Sequence, residues 1–311
     1  MFARWLSAKV DDYIELRRSL GYAFDVQAAT LRAFVAYVKR RRAVGPLTTT
    51  LAVSFVMANA VTPAVRARRY GVVVRLAEYL ALFDARTPTL DPHALPRSRF
   101  TPPAHIIDDA ELARLLVAAR SLNSSDVLRG ETLFTVLGLL ASTGLRSGEA
   151  RRLDRSDVDL ASGLLQIRKT KFRKDRLVPV HPTTRARLRA YALMRDRAVP
   201  RAPSAAFFVT GCGYRLSSST FGTAFRQARS DAGLLDDHPR MLRPHDLRHR
   251  FATTRIVQWY REKVDVQARL PVLAAYLGHA RYSDTAYYVT GTAELLGIAA
   301  TRVFGGRGGV R

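Results

Sequence analysis

Five separated stretches of the chain hold side chains suited to chemistry at a phosphate: Thr143-Gly144-Leu145-Arg146, Lys171, His245-Asp246-Leu247-Arg248, Leu277-Gly278-His279 and Tyr288. A guanidinium forks two N–H bonds onto a phosphate and keeps its charge at any working pH. An imidazole donates a hydrogen bond or moves a proton near neutrality. A phenol, with a pKa near 10, attacks only where a base or a positive field activates it. Two arginines, two histidines, a lysine and a tyrosine therefore make a set for phosphoryl transfer that needs neither a metal nor a nucleotide cofactor. His245 and His249, four residues apart, have the spacing of a zinc pair, yet no cysteine or carboxylate stands at suitable spacing to complete a site. We expect no metal and no cofactor.

The elements that must position these residues fall into two groups. Helical periodicity runs through Leu6, Val10, Tyr13, Ile14 and Leu20 up to Gly21, then through Val26, Leu31, Phe34, Val35 and Val38. A third short helix is expected over Thr48 to Asn59, and a fourth begins with Pro63 in its first turn. The fourth carries Val65, Val72, Leu76, Leu80 and Phe83 on one side and Arg66, Arg68, Arg69 and Arg75 on the other. From Thr87 to Pro103 five prolines exclude regular structure, and Arg97 and Arg99 lie among them. Asp108 with Glu111 then reads as a capping box that opens a second domain.

That second domain is mixed. A helix is expected over Glu131 to Ser142, ended by Gly144. Two short strands, Leu164 to Lys169 and Arg176 to Val180, flank a basic hairpin tip containing Lys171, Arg173 and Lys174. A helix returns over Thr183 to Arg197, Phe207 to Thr210 forms a short apolar element, and helices dominate from Ser218 to Ala300. Thr292 to Val303 is amphipathic, and the glycine-rich tail from Gly305 to Gly309 has no ordering pattern. The expected fold class is mainly α with a small β-sheet (α+β), divided as residues 1–87, a linker over 88–107, and 108–311.

Composition narrows the partner. Fifty Lys and Arg against 26 Asp and Glu give a net charge of +24, which calls for a polyanion. Anionic membrane would meet that charge too, but no basic amphipathic helix with a lipid-facing aromatic edge is evident. No apolar run reaches the length of a membrane span, and Lys9, Asp11 and Asp12 interrupt what would be the core of a signal peptide. A lone Cys212 excludes an internal disulfide framework and fits a reducing cytoplasm.

Ordered along the chain, these boxes resemble the tyrosine recombinases, or phage integrases. Thr143-Gly144-Leu145-Arg146-Ser147-Gly148-Glu149 is similar to the family's first arginine box. Thr170-Lys171 with the following Arg176-Leu177-Val178-Pro179 resembles its lysine hairpin. His245 to Arg248 resembles the His-x-x-Arg box, and Leu277-Gly278-His279 with Tyr288 the last one. The likeness covers roughly residues 108–295 closely.

The resemblance implies roles. Arg146, Arg248 and His279 would stabilise the charge of the transition state, His245 would hydrogen-bond the phosphate or transfer a proton at the nucleophile, and Glu149 would buttress the site. Tyr288 would be the nucleophile and Lys171 the general acid on the leaving 5′-oxygen, with Lys174 as its rival. Independently of the resemblance, helical spacing makes Tyr287 rather than Tyr288 the core candidate, and His249 reads as a capping or packing residue. Arg66, Arg68, Arg69, Arg75, Arg97, Arg99, Arg173 and Lys174 would contact DNA phosphates.

The family further implies a helical, SAM-like core-binding domain and a catalytic domain closing as a C-shaped clamp on double-stranded DNA. It implies a dimer per site and a tetramer in synapsis, sister recombinases or DNA-bending accessory proteins as partners, and a place at the nucleoid in the cytoplasm. The rival expectations are a type IB topoisomerase-like relaxation activity and a catalytically silent DNA-binding relative.

Overall fold

A computed structural model describes residues 1–58, 62–95, 106–122, 126, 128–168, 175–234, 241–279, 283–286 and 288. The chain divides into two compact units, Met1–Thr101 and Pro102–Arg311. Among the described residues no helix is long and apolar enough to cross a membrane.

The first unit is four helices: α1 (Phe2–Ser19), α2 (Asp25–Arg40), α3 (Thr49–Met57) and α4 (Pro63–Leu80). Each buries an apolar stripe, Leu6, Val10, Tyr13 and Ile14 on α1 and Leu31, Phe34, Val35 and Val38 on α2. Gly21, at φ +84°, makes the turn after α1, and the Thr48 hydroxyl caps α3 by accepting from Leu51 N at 3.2 Å. Aromatic contacts close the core, with the Phe34 and Phe55 rings edge to face at 5.1 Å. On α4, Arg68 and Arg75 are exposed and Arg66 and Arg69 half-buried. Phe83 departs from its expected place on the apolar stripe. The helix stops at Leu80, so Phe83 lies beyond it, half exposed, beneath the Lys9 ammonium at 4.2 Å. Residues 88–95 form no helix or strand, and Leu90 packs into this unit's own core. Arg97 and Arg99 lie outside the described residues.

The second unit is built around α6 (Leu128–Thr143), buried on most of its faces by α5 (Asp109–Arg120), α8 (Pro182–Ala198), α9 (Ser218–Asp231) and α10 (Asp246–Arg261). The expected capping box opens α5: Asp108 Oδ1 accepts from Glu111 N at 2.7 Å, and Glu111 Oε2 accepts from Asp108 N at 2.9 Å. Helix α7 (Ser147–Arg152) leads to an antiparallel sheet ordered β1 (Val158–Asp159), β2 (Leu164–Ile167) and β3 (Arg176–Pro179). Leu165 pairs with Val178, both facing the core, while Gln166 faces solvent. The two-residue β1 is too short to carry an alternation and is not foreseen in the sequence.

Phe207 to Val209 joins no strand. It is held by isolated bridges and by Tyr191, whose hydroxyl accepts from Val209 N at 3.2 Å. Helices α11 (Val266–Leu277) and α12 (Ser283–Ala286) complete the unit.

Glycines terminate both α6 and α11. Gly144 after α6 has φ +64° and Gly278 after α11 has φ +69°, the left-handed conformation that ends helices and disfavours a Cβ. At Gly144 a Cβ would also stand 2.5 Å from Phe251 Cδ1 and 2.9 Å from Leu277 Cδ2. Gly144→Ala should therefore cost about 2 kcal/mol or more, strain and overpacking together. Gly138→Ala, in open space on the same stretch, should gain about 0.5–1 kcal/mol. Urea denaturation of both variants checks the pair, and equal midpoints would contradict this account of Gly144.

Candidate active site

Helix α7 begins one residue after Arg146, whose extended backbone turns the chain out of α6. Glu149, one turn on, reaches back to accept from Arg146 N at 3.0 Å and from Arg146 Nη1 at 3.0 Å. The same carboxylate takes a bidentate pair from Arg176 on β3, at 2.9 and 3.2 Å. Glu149 is thus enclosed by two guanidinium groups, its side chain only 2% exposed. Burial by itself would raise its pKa, but the hydrogen bonds and charge of Arg176, then Arg146, outweigh that and hold the carboxyl below the usual range. Both arginines also grip the end of α11: Arg176 Nε donates to Tyr276 O at 2.9 Å and Arg146 Nη2 to Gly278 O at 3.3 Å.

In the sequence Arg176 enters only as the first residue of Arg176-Leu177-Val178-Pro179, beside the lysine hairpin, and is given no role of its own. On a half-buried strand the one signal was a guanidinium among apolar neighbours, and its partners lie 27 and 100 positions away.

Arg248 is fully buried on α10. Its Nη1 donates to Gly144 O at 2.9 Å and its Nη2 to Leu277 O at 2.8 Å. The Tyr288 phenol stands near enough to Arg248 to act on its charge. Burial, then the charge of Arg146, pushes its pKa down to about 10, which still leaves it cationic at neutral pH. Of the two sequence-predicted arginines, Arg146 keeps about a third of its side chain exposed (34%) and Arg248 none.

Around Arg248 stand three imidazoles and a phenol. His245 and His249 meet edge to face at 4.9 Å between ring centroids, and His249 meets Tyr288 likewise at 5.2 Å. His279 stacks on Tyr288 at 5.9 Å with an interplanar angle of 20°. Tyr288 itself is 5% exposed and belongs to the core formed with Ala252, Ile256 and Leu270. The pKa of His245 is pushed down to about 4 by burial of part of its ring, then by His249 and Arg248, although the residue keeps an exposed edge. Burial, then Arg248 and Arg146, takes His279 to about 4 as well. Both rings are neutral at pH 7. Among the described residues no group of three His, Cys, Asp or Glu is placed to hold a metal ion.

The structure thus gathers Arg146, Glu149, His245, Arg248, His279 and Tyr288 within the second unit, while Arg66, Arg68, Arg69 and Arg75 lie on α4 of the first. Lys171, Arg173 and Lys174, together with Tyr287 and the stretch from Thr292 onward, lie outside the described residues.

Comparison with known proteins gives a consistent result. Residues 106–294 match the model of the phage integrase family. The chain is 55% identical over 303 residues to the Sinorhizobium fredii (strain NBRC 101917 / NGR234) protein named "Putative integrase/recombinase y4rE", covering 97% of each. Its fold is similar to that of the XerH site-specific recombinase bound to a palindromic difH substrate in a post-cleavage complex. The TM-score is 0.62 at 19% identity, covering 88% of this chain and 78% of that one. It is also similar to a lambda integrase tetramer bound to a Holliday junction, with a TM-score of 0.58 at 18% identity and coverage of 91% and 76%. At these identities the two solved structures speak to fold alone.

The site's electrostatics lead to two expected outcomes. Glu149→Ala strips a buried carboxylate from between two guanidinium groups and should cost about 3 kcal/mol of stability by urea denaturation, the usual scale for breaking a buried ion pair from one side. An unchanged midpoint would show the clamp to be dispensable. Separately, between about pH 6.5 and 4 the unfolded chain binds protons at His245 and His279 that the folded chain does not. Stability should therefore fall as pH drops through that window. The double variant His245→Gln/His279→Gln should show a shallower fall in the same titration, and an identical slope would exclude these rings as its source.

Proposed function

The chain belongs to the phage integrase family of tyrosine recombinases, and from that premise we propose that it recombines double-stranded DNA at specific sites through a 3′-phosphotyrosyl intermediate on Tyr288. The observation that carries this reading is the convergence of Arg146, Arg248, three imidazoles and Tyr288 from distant stretches of the chain into one basic site.

In the proposed reaction the Tyr288 oxygen attacks the scissile phosphorus as its proton passes to the neutral imidazole of His245, and the bond from phosphorus to the 5′-oxygen breaks. Lys171 protonates that oxygen, giving a free 5′-hydroxyl. One phosphodiester is exchanged for another, so the reverse attack by a 5′-hydroxyl reseals a strand with no external energy. Arg146 and Arg248 bear the negative charge that develops on the non-bridging oxygens, and His245 and His279 add hydrogen bonds. Glu149 with Arg176 holds Arg146 in place. Because Arg248 is covered and Tyr288 lies against it, the phosphate reaches both arginines only as the phenol swings off Arg248. That movement places the nucleophile and opens the anion site together.

The net charge of +24 and the basic positions Arg66, Arg68, Arg69, Arg75, Arg97, Arg99, Arg173 and Lys174 support a duplex clasped by both units. A dimer per site and a tetramer in synapsis belong to the same proposal, as the assembly that membership of the family implies. We assign the activity to integration, excision or transposition of a mobile element, in the cytoplasm at the nucleoid.

The test is covalent trapping. Nicked suicide duplexes tiled across the DNA flanking the gene are incubated with the protein in EDTA and resolved on a denaturing gel. Wild type should form a protein–DNA adduct, and Tyr288→Phe should form none while binding duplex as tightly. An adduct with Tyr288→Phe would move the nucleophile elsewhere, first to Tyr287. Binding with no adduct on any duplex would favour a DNA-binding protein without cleavage activity.

A further inference from the structure

Thr285 lies three residues before Tyr288 and is completely buried. Its hydroxyl is 2.6 Å from His279 Nδ1, and its carbonyl accepts the main-chain N–H of Tyr288 at 3.0 Å. One residue is thereby bonded both to an imidazole of the candidate site and to the turn that carries the phenol. A buried hydroxyl rarely goes without a partner, and this one has a short contact with a ring nitrogen. A neutral imidazole carries one proton, and the bond made at one nitrogen decides whether the other donates or accepts. If the Thr285 hydroxyl donates to Nδ1, the proton of His279 resides on Nε2, leaving that nitrogen a donor. If Nδ1–H donates to the hydroxyl, Nε2 can only accept and is useless to an anionic oxygen.

We infer that Thr285 is a positioning residue for strand cleavage: its hydroxyl donates to His279 Nδ1, fixing the Nε2–H form and the plane of the ring, while its carbonyl fixes the turn that presents Tyr288. The inference rests on the proposed recombinase reading and deepens it. Transition-state stabilisation at a phosphate requires donors already aimed, because a ring free to flip between tautomers spends part of its time presenting a lone pair to negative charge. The imidazole so oriented lies beside the phenol, the rings of His279 and Tyr288 being near-parallel with centroids 5.9 Å apart. Serine can make the same hydrogen bond, whereas valine keeps the shape of threonine and removes the donor.

Two readouts separate this inference from the reading on which it rests. The first needs no DNA. Long-range proton–nitrogen NMR spectra of the full-length protein labelled with nitrogen-15 at its seven histidines, a set small enough to assign with His279→Gln, report the tautomer directly. His279 should be in the Nε2–H form in wild type and Thr285→Ser, and should lose that preference in Thr285→Val. The second is the rate of adduct formation on the trapping duplex. Thr285→Val should be slower by about ten- to a hundredfold, the loss typical when the partner that orients a metal-bound histidine is removed. Duplex affinity should not change, and Thr285→Ser should restore the rate to within a few-fold.

An Nδ1–H tautomer in wild type would overturn the inference outright. So would a Thr285→Val protein with the wild-type tautomer and rate, or a Thr285→Ser protein as slow as Thr285→Val. If wild type forms no adduct on any duplex, the recombinase reading fails, and the tautomer still decides whether Thr285 positions His279.

Discussion

The carboxylate of Glu149, enclosed between the guanidinium groups of Arg146 and Arg176, is the interaction on which the second unit's basic site depends. Arg248 adds a third guanidinium close enough for the charge of Arg146 to depress its pKa. Two like charges 4 Å apart repel by about 4 kcal/mol at an effective dielectric constant near 20, so such a cluster would not stay assembled on packing alone. One buried carboxylate offsets part of that repulsion. It does so from within the fold, where it cannot compete with an anion arriving at the exposed face of Arg146.

Main-chain carbonyls supply the rest. Helices α6 and α11 both end at left-handed glycines, and the last carbonyls of a helix have no intrahelical donor and carry partial negative charge. Four such oxygens, at Tyr276, Leu277, Gly278 and Gly144, each accept from a guanidinium. The arginines satisfy groups that would otherwise be orphaned, and the helix ends stabilise charges that would otherwise repel. This mutual dependence ties the end of α6, the start of α7, strand β3 and the loop after α11 into one body. It also explains why the left-handed conformation at Gly144 matters to a site whose chemistry involves no glycine.

How much of this is legible in the sequence depends on the range of the interaction. The helices α1, α2 and α5 can be read because their cores, caps and terminators lie within a few residues, as with Asp108 and Glu111. Phe83 fails the same reading because periodicity extends the stripe past Leu80, where the helix has already stopped. The Arg146–Glu149 contact is visible as one helical turn, whereas Arg176 acquires its importance only from Glu149 and Tyr276, which no local pattern connects to it. Burial separates His245 from Arg248 despite their spacing of three: one keeps an exposed edge and the other has none. Thr285 is silent in the sequence for a related reason, since its hydroxyl has meaning only with His279 beside it.

The arginines and histidines divide the electrostatic work, and the division comes from their placement. Guanidinium groups hold their protons even when burial and a like neighbour bring one of them to a pKa of about 10. Imidazoles in the same positive field do not: burial, then His249 and Arg248, takes His245 to about 4, and burial, then Arg248 and Arg146, takes His279 there as well. Burial, helped by the field that would bind a phosphate, therefore keeps the histidines neutral, each with one nitrogen that donates and one that accepts. A charged imidazole would donate from both nitrogens and could not accept the hydroxyl of Thr285. On the proposed reading, then, the arginines provide charge without direction changes, and the histidines provide direction without charge. Orientation of the neutral rings becomes the quantity that the surrounding hydrogen bonds must control, and for His279 that control falls to a single buried threonine.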